Sequence, residues 1–276
     1  MSVERIVVGL DACQASWTAL RWAAERAADG PAHIRIVHAL ERTDTDQLVV
    51  RERLAGAAAF IRGTAPGVVV ETAVERGFAA PTLVAAAAAA DLLVIGAHRS
   101  HTIRSALTGS LPQRVATSAA VPTVVVPDDW SSGSGPIIVG VDADTSEAAL
   151  AFGLREARHT GRPLRLVHAW RVTVPVAARP IALLEDASSA DEQSARLVLD
   201  AAGRHAAIRE PSVPVRATLW EGDAGDALAN AGADASMVVV GRRHRTTLGG
   251  ALLGSVARET MHRSRTPVVI VPVPRS

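Results

Sequence analysis

The sequence predicts an α/β protein made of two doubly wound domains in tandem, each built on a five-stranded parallel sheet. Three observations predict it. Short unbroken Val/Ile/Leu runs alternate with amphipathic stretches, as strands buried on both faces alternate with crossover helices. The start of the chain recurs halfway along it: Arg5-Ile-Val-Val-Gly-Leu-Asp11 matches Pro136-Ile-Ile-Val-Gly-Val-Asp142, and His33-Ile-Arg-Ile-Val-His-Ala39 matches Pro163-Leu-Arg-Leu-Val-His-Ala169. A glycine-flanked loop is also written twice. Gly96-Ala97-His98-Arg99 leads after nine positions to Gly109-Ser110, and Gly241-Arg242-Arg243-His244 leads after the same nine to Gly254-Ser255.

In chain order, the first half predicts strands near 4–10, 33–39, 68–74, 92–96 and 122–126, with helices near 15–29, 46–64, 79–90 and 110–119. The second half follows at offsets of 142 − 11 = 131, 169 − 39 = 130 and 254 − 109 = 145. The jump from 130 to 145 places an insertion after its second strand. Arg171 to Asp191, with Pro175, Pro180 and few periodic apolar positions, is the expected site. Asp128-Asp-Trp-Ser-Ser-Gly-Ser-Gly-Pro136 has the Gly/Ser composition of a flexible linker. The domains are therefore drawn at residues 1–127 and 137–272.

Composition narrows the function classes. A net charge of +1 gives no global drive toward nucleic acid or an acidic membrane surface. The chain contains no lysine, which removes any Walker A loop, whose lysine must reach the phosphates. The single cysteine, Cys13, excludes an internal disulfide and fits a reducing compartment, so a cytoplasmic location is expected. Cys13 itself reads as a small buried side chain. The longest alanine run, Ala85 to Ala90, is too short to span a bilayer, and the five tryptophans are scattered rather than grouped for base stacking.

The chemistry sits in the loops. In an open parallel sheet, ligands bind beyond the carboxyl ends of the strands, where the winding reverses. Asp11 follows strand one and Gly96 follows strand four, so neighbouring strands would put both at one crevice. The start of the following helix offers unpaired backbone N–H groups, which suit phosphate. His98-x2-His101 has metal-like spacing but lacks a Cys or carboxylate companion, and no metal is expected. His38 and His168 read as packed, hydrogen-bonded histidines.

With these features the chain resembles the universal stress proteins in their tandem form. The resemblance rests on Val-Gly-x-Asp after strand one, Val-His-Ala at strand two, a loop similar to G-x2-G-x9-G-[S/T] after strand four, and a Pro-Val-rich last strand, in both halves. It implies an adenine-nucleotide α-hydrolase-like fold whose two domains pair through their last strands, around Val124 to Val126 and Val268 to Ile270. It also implies ATP, with magnesium as companion ion, between strands one and four. Asp11 and Asp142 would approach the adenosine, Ala39 and Ala169 would line the base, and Gly96 and Gly241 would pass beneath the nucleotide. Gly109-Ser110 and Gly254-Ser255 would face the phosphates. Further pairing into a homodimer is implied too.

Both halves depart from the motif at its second glycine, which is Arg99 in the first and His244 in the second. Side chains there crowd a close-approach position, while arginines at 99, 104, 242, 243 and 245 bring charge suited to phosphate. Structural readings stand beside the functional ones. Ser110-Leu-Pro-Gln113 is a capping-box sequence, Asp11 is placed to cap the next helix, and Arg242 to Arg245 can be a solvated basic loop. The resemblance thus implies a stress-response regulatory module binding ATP at one or both crevices. The alternatives are a nucleotide-independent scaffold or a slow ATPase. No acidic residue lies within either loop, which disfavours phosphoryl-transfer chemistry.

Overall fold

A computed structural model describes residues 3–41, 47–98, 110–143, 146–171, 181–242 and 253–272. The chain divides into two units, the main segment of the first running through Ser132 and that of the second beginning at Gly133.

The first unit consists of β1 (Glu4–Gly9), α1 (Gln14–Ala28), β2 (Ala32–Leu40), α2 (Gln47–Thr64), β3 (Val69–Arg76), α3 (Ala79–Ala86), β4 (Leu92–Ala97), α4 (Leu111–Ser118) and β5 (Thr123–Pro127). Its strands lie in the order β3-β2-β1-β4-β5 and all pair in parallel. The branched aliphatic runs explain the central strands: Ile6, Val8, Ile34, Ile36, Leu93 and Val94 are each no more than 1% exposed. Burying such a side chain contributes on the order of 1.5–3 kcal/mol, so the middle of the sheet dominates the core. Edge strand β3 mixes exposed and half-buried positions along its length, as a strand with one open side must.

The chain winds β1 to β2 to β3 in one direction, then crosses to β4 on the other side of β1. The reversal therefore falls between β1 and β4. Helix α1 packs tightly there because its inner face is small: Ala15, Ala19, Ala23 and Ala24 are all buried. Gly96 at the end of β4 permits the contact, since a Cβ on it would stand 2.2 Å from the Ala15 carbonyl carbon.

The second unit repeats the plan with β6 (Ile137–Gly140), α5 (Ser146–Thr160), β7 (Leu164–Trp170), α6 (Ile181–Arg209), β8 (Val215–Glu221), α7 (Ala224–Ala231), β9 (Met237–Gly241), α8 (Ser255–Arg263) and β10 (Val268–Val271). Its strands run β8-β7-β6-β9-β10, again in parallel.

Two expectations change here. The C-terminal part of the insertion is helical: α6 has 29 residues against 18 for α2, and its first turns cover Ile181 to Asp191. That stretch has no Gly or Pro and opens, after Ile181, on Ala, Leu, Leu and Glu, with two further Ala, so helix propensity prevails over its weak apolar period. The linker is also more anchored than its composition suggests. Thr18 donates to the Asp128 carbonyl and Arg21 to the Trp130 carbonyl, while Arg162 donates to the Gly133 and Gly135 carbonyls.

Candidate functional site

In the second unit a cavity of about 300 Å3 lies at the carboxyl ends of β6, β7 and β9 and the starts of α7 and α8. Asp142, Ala169, Gly241, Gly254 and Ser255 all line it. Five residues chosen from separate parts of the sequence thus meet in one crevice. The sixth, His244, lies outside the described residues. The sequence reading missed the wall formed by Ala224 and Leu228 on α7. A repeat-based signal for it exists: Leu228 packs on Gly140, and Leu83 packs on Gly9 at the matching place in the first unit.

Each wall has a local cause. The loop after β6 is tied to β7 by Val141, whose N–H donates to the Val167 carbonyl at 2.9 Å. His168 adds a second tie, its Nδ1 lying 2.8 Å from the Val141 carbonyl oxygen. A carbonyl only accepts, so Nδ1 carries the hydrogen. The same bond recurs at 2.8 Å between His38 and Leu10, and His38 is buried. Both histidines are structural ties, as expected of packed strand residues. Helix α7 starts at Asp223, whose Oδ1 accepts from Gly225 N at 2.7 Å and Asp226 N at 3.2 Å. Asp223 also pairs with Arg171, which leaves the end of β7.

The helix facing the cavity differs between the repeats. Gly254 is the N-cap of α8, with φ −60° and ψ 153°, and Ser255 is its first helical residue. In the first unit Ser110 is itself the N-cap of α4, and its N–H donates to Gln113 Oε1 at 3.4 Å. The Gln partner read from the sequence is therefore engaged, and it shifts the helix start by one residue between the halves.

The first-unit candidates sit at the same end of their sheet. Asp11 follows β1, Ala39 lies near the end of β2, and Gly96 lies near the end of β4. Arg99 and Gly109 lie outside the described residues, as does His101. Asp11 is exposed and closes a turn, its Oδ1 accepting from Cys13 N at 2.8 Å. Its side chain does not cap α1, whose N-cap is Cys13. Gly96 has a packing reason for being glycine, the approach of α1 already described.

Cys13 is exposed, not buried, because it stands in the turn between β1 and α1. Partial desolvation pushes its thiol above the ordinary value, and the Asp11 carboxylate adds to the rise against an opposing pull from Arg53. A protonated thiol is a poor nucleophile. His98 engages Asp128, Nδ1 to Oδ2 at 3.1 Å, and no His/Cys/Asp/Glu cluster suited to a metal occurs among the described residues. Arg242 is buried, so it does not belong to a solvated basic loop, and residues 243–245 lie outside the described residues. Among the described residues, no helix is long and apolar enough to cross a membrane.

Comparison with known proteins places this arrangement. The model of the universal stress protein family matches twice, over residues 2–127 and 134–272. A universal stress protein of Mycobacterium bovis is 32% identical over 197 residues, which cover 69% of this chain and 64% of that protein. The chain thus spans less than two thirds of that relative's length. One from Mycolicibacterium smegmatis is 27% identical over 289 residues, covering 96% of each. Among solved structures, a universal stress protein from Archaeoglobus fulgidus shares the fold with a TM-score of 0.71, at 17% identity and with 97% of this chain and 98% of that one covered. The chain belongs to the universal stress protein family and carries two of its domains in tandem.

Proposed function

We propose that this protein is a regulatory binding module that holds ATP, with magnesium as the phosphates' companion ion, in the crevice of its second unit. The observation that supports this reading most is the cavity shared by Asp142, Ala169, Gly241, Gly254 and Ser255. Its size, about 300 Å3, is at the lower end for small-molecule sites. Asp142 supplies a hydrogen-bond acceptor for the sugar or base, and Ala169 and Val141 supply a flat apolar wall. The first turn of α8 presents backbone N–H groups and the positive end of the helix dipole to phosphate. No lysine exists to share the charge, so arginine would carry it. The first unit is assigned the corresponding site at Asp11, Ala39, Gly96, Arg99, Gly109 and Ser110, and a homodimer in the cytoplasm is the proposed working form.

A second reading, a nucleotide-independent interaction module, is favoured for the first unit by one observation. Helix packing accounts for Gly96 without any ligand.

Mass spectrometry of nucleotide released from the purified protein, with calorimetric titration of ATP and magnesium, tests the proposal. One or two sites per chain are expected. Absence of both carried nucleotide and binding heat would reject it. Gly254→Val adds bulk at a position whose φ of −60° any residue tolerates, so the fold should survive. Affinity at the second site should fall roughly tenfold or more as the side chain blocks approach to the helix start. Unchanged affinity would place the site elsewhere.

A further inference from the structure

A second cavity, of about 330 Å3, opens in the first unit and shares no residue with the nucleotide-site candidates. Trp17 on α1, Phe60 on α2 and Trp130 after β5 give it aromatic walls. Arg21, one helical turn beyond Trp17, lies over the Trp130 ring with its guanidinium carbon 5.0 Å from the ring centroid. Asp128 and Asp129 line the polar side. Thr18 lies on that side, its single hydroxyl hydrogen shared between the Gln14 and Asp128 carbonyls, each at 3.2 Å.

The duplicated helix shows that the fold does not require this set. From Ser16 onward α1 matches α5 at an offset of 146 − 16 = 130. The core positions are kept: Ala19 and Leu20 match Ala149 and Leu150, all at most 3% exposed. The cavity positions are not kept. Trp17, Thr18 and Arg21 stand where the second unit has Glu147, Ala148 and Ala151. Phe60 is 40% exposed, so its ring is not committed to the core. An indole, a phenyl and a guanidinium therefore line this cavity at positions where the duplicated helix shows that the core does not need them.

We propose that this cavity binds a small zwitterion with an apolar body, of the amino-acid class. The aromatic walls take the body. Arg21 takes the carboxylate through a charge-assisted hydrogen bond, and the Asp128–Asp129 side takes the ammonium. A simple organic cation would meet Arg21, and a simple anion would meet Asp129 and the Asp128 carboxylate, whose Oδ2 also engages His98. A ligand carrying both charges matches both ends.

The test titrates the intact protein with L-phenylalanine, beside phenethylamine and 3-phenylpropionate, which keep the body and one charge each. Calorimetry and tryptophan emission report binding, since Trp17 and Trp130 line the cavity. L-Phenylalanine should bind, with each single-charge analogue weaker by roughly tenfold or more, because each forfeits one charge-assisted contact. Arg21→Met should erase the advantage over phenethylamine, and Phe60→Ser should weaken all three compounds. Thermal unfolding of each variant checks that it folds, and the analogue series on the unaltered protein stands without them. Phenethylamine binding as well as L-phenylalanine would make the cavity a cation cage and overturn the proposal. So would the absence of any response at millimolar L-phenylalanine, or binding that survives both substitutions in folded protein.

Discussion

Asp11 and Cys13 share the turn that leads into α1, and that neighbourhood sets the chemistry of the thiol. Desolvation and the Asp11 carboxylate both disfavour the thiolate. Alkylation by iodoacetamide should therefore become fast only above the ordinary thiol range of about 8.5. Asp11→Asn removes a negative charge, so the midpoint of the rate–pH profile should move down. Superimposable profiles would show that the thiol does not feel the carboxylate. Gly96 makes a different prediction at the same scale. Gly96→Ala sets a methyl carbon 2.2 Å from the Ala15 carbonyl carbon and forces α1 away from β4. A loss of about 1–3 kcal/mol is expected, as for other overpacked positions, and urea denaturation measures it. Residue identity was legible in the sequence at these places, but exposure was not. Asp11 was readable as a strand-end acceptor, whereas the exposure of Cys13 depends on how a turn of two elements meets solvent.

At the scale of elements, helix starts carry the differences between the repeats. Helix α7 is capped by the Asp223 carboxylate, while its counterpart α3 begins at Phe78, which makes no side-chain cap and is 73% exposed. Asp223→Ala should cost about 1 kcal/mol through the lost cap. The exposed pair with Arg171 adds little to that sum. Because Ala224 lines the cavity, the same variant should loosen the α7 wall and weaken ATP binding, which calorimetry reads alongside denaturation. The strands were legible because a fully buried parallel strand reads as an unbroken run of branched aliphatic residues, as in Leu92 to Ile95. The start of α4 was legible because Ser110 and Gln113 are three apart. The long α6 was not legible, because helix propensity without a clear apolar stripe gives no periodic signal, and two prolines just before it suggest irregular chain.

For the whole molecule, duplication was the strongest signal in the sequence, since matched spacings exposed the repeat before any element was assigned. What duplication hides is divergence between the copies. Trp17 and Trp130 are 113 positions apart and look scattered on the page, yet chain closure across the first unit brings them to one cavity. The exposed pair Ser131-Ser132 offers a place to cut the chain between the copies. The chain is held by hydrogen bonds at Trp130 on one side and at Gly133 on the other, and these two serines are the unheld stretch between. A protease recognition sequence inserted at that point would be open to cleavage, as exposed polar segments generally are. The protein could then be dissected after folding rather than truncated before it. Each fragment would retain the strands and helices of one unit, and ligand stoichiometry would become a property assigned to a named half.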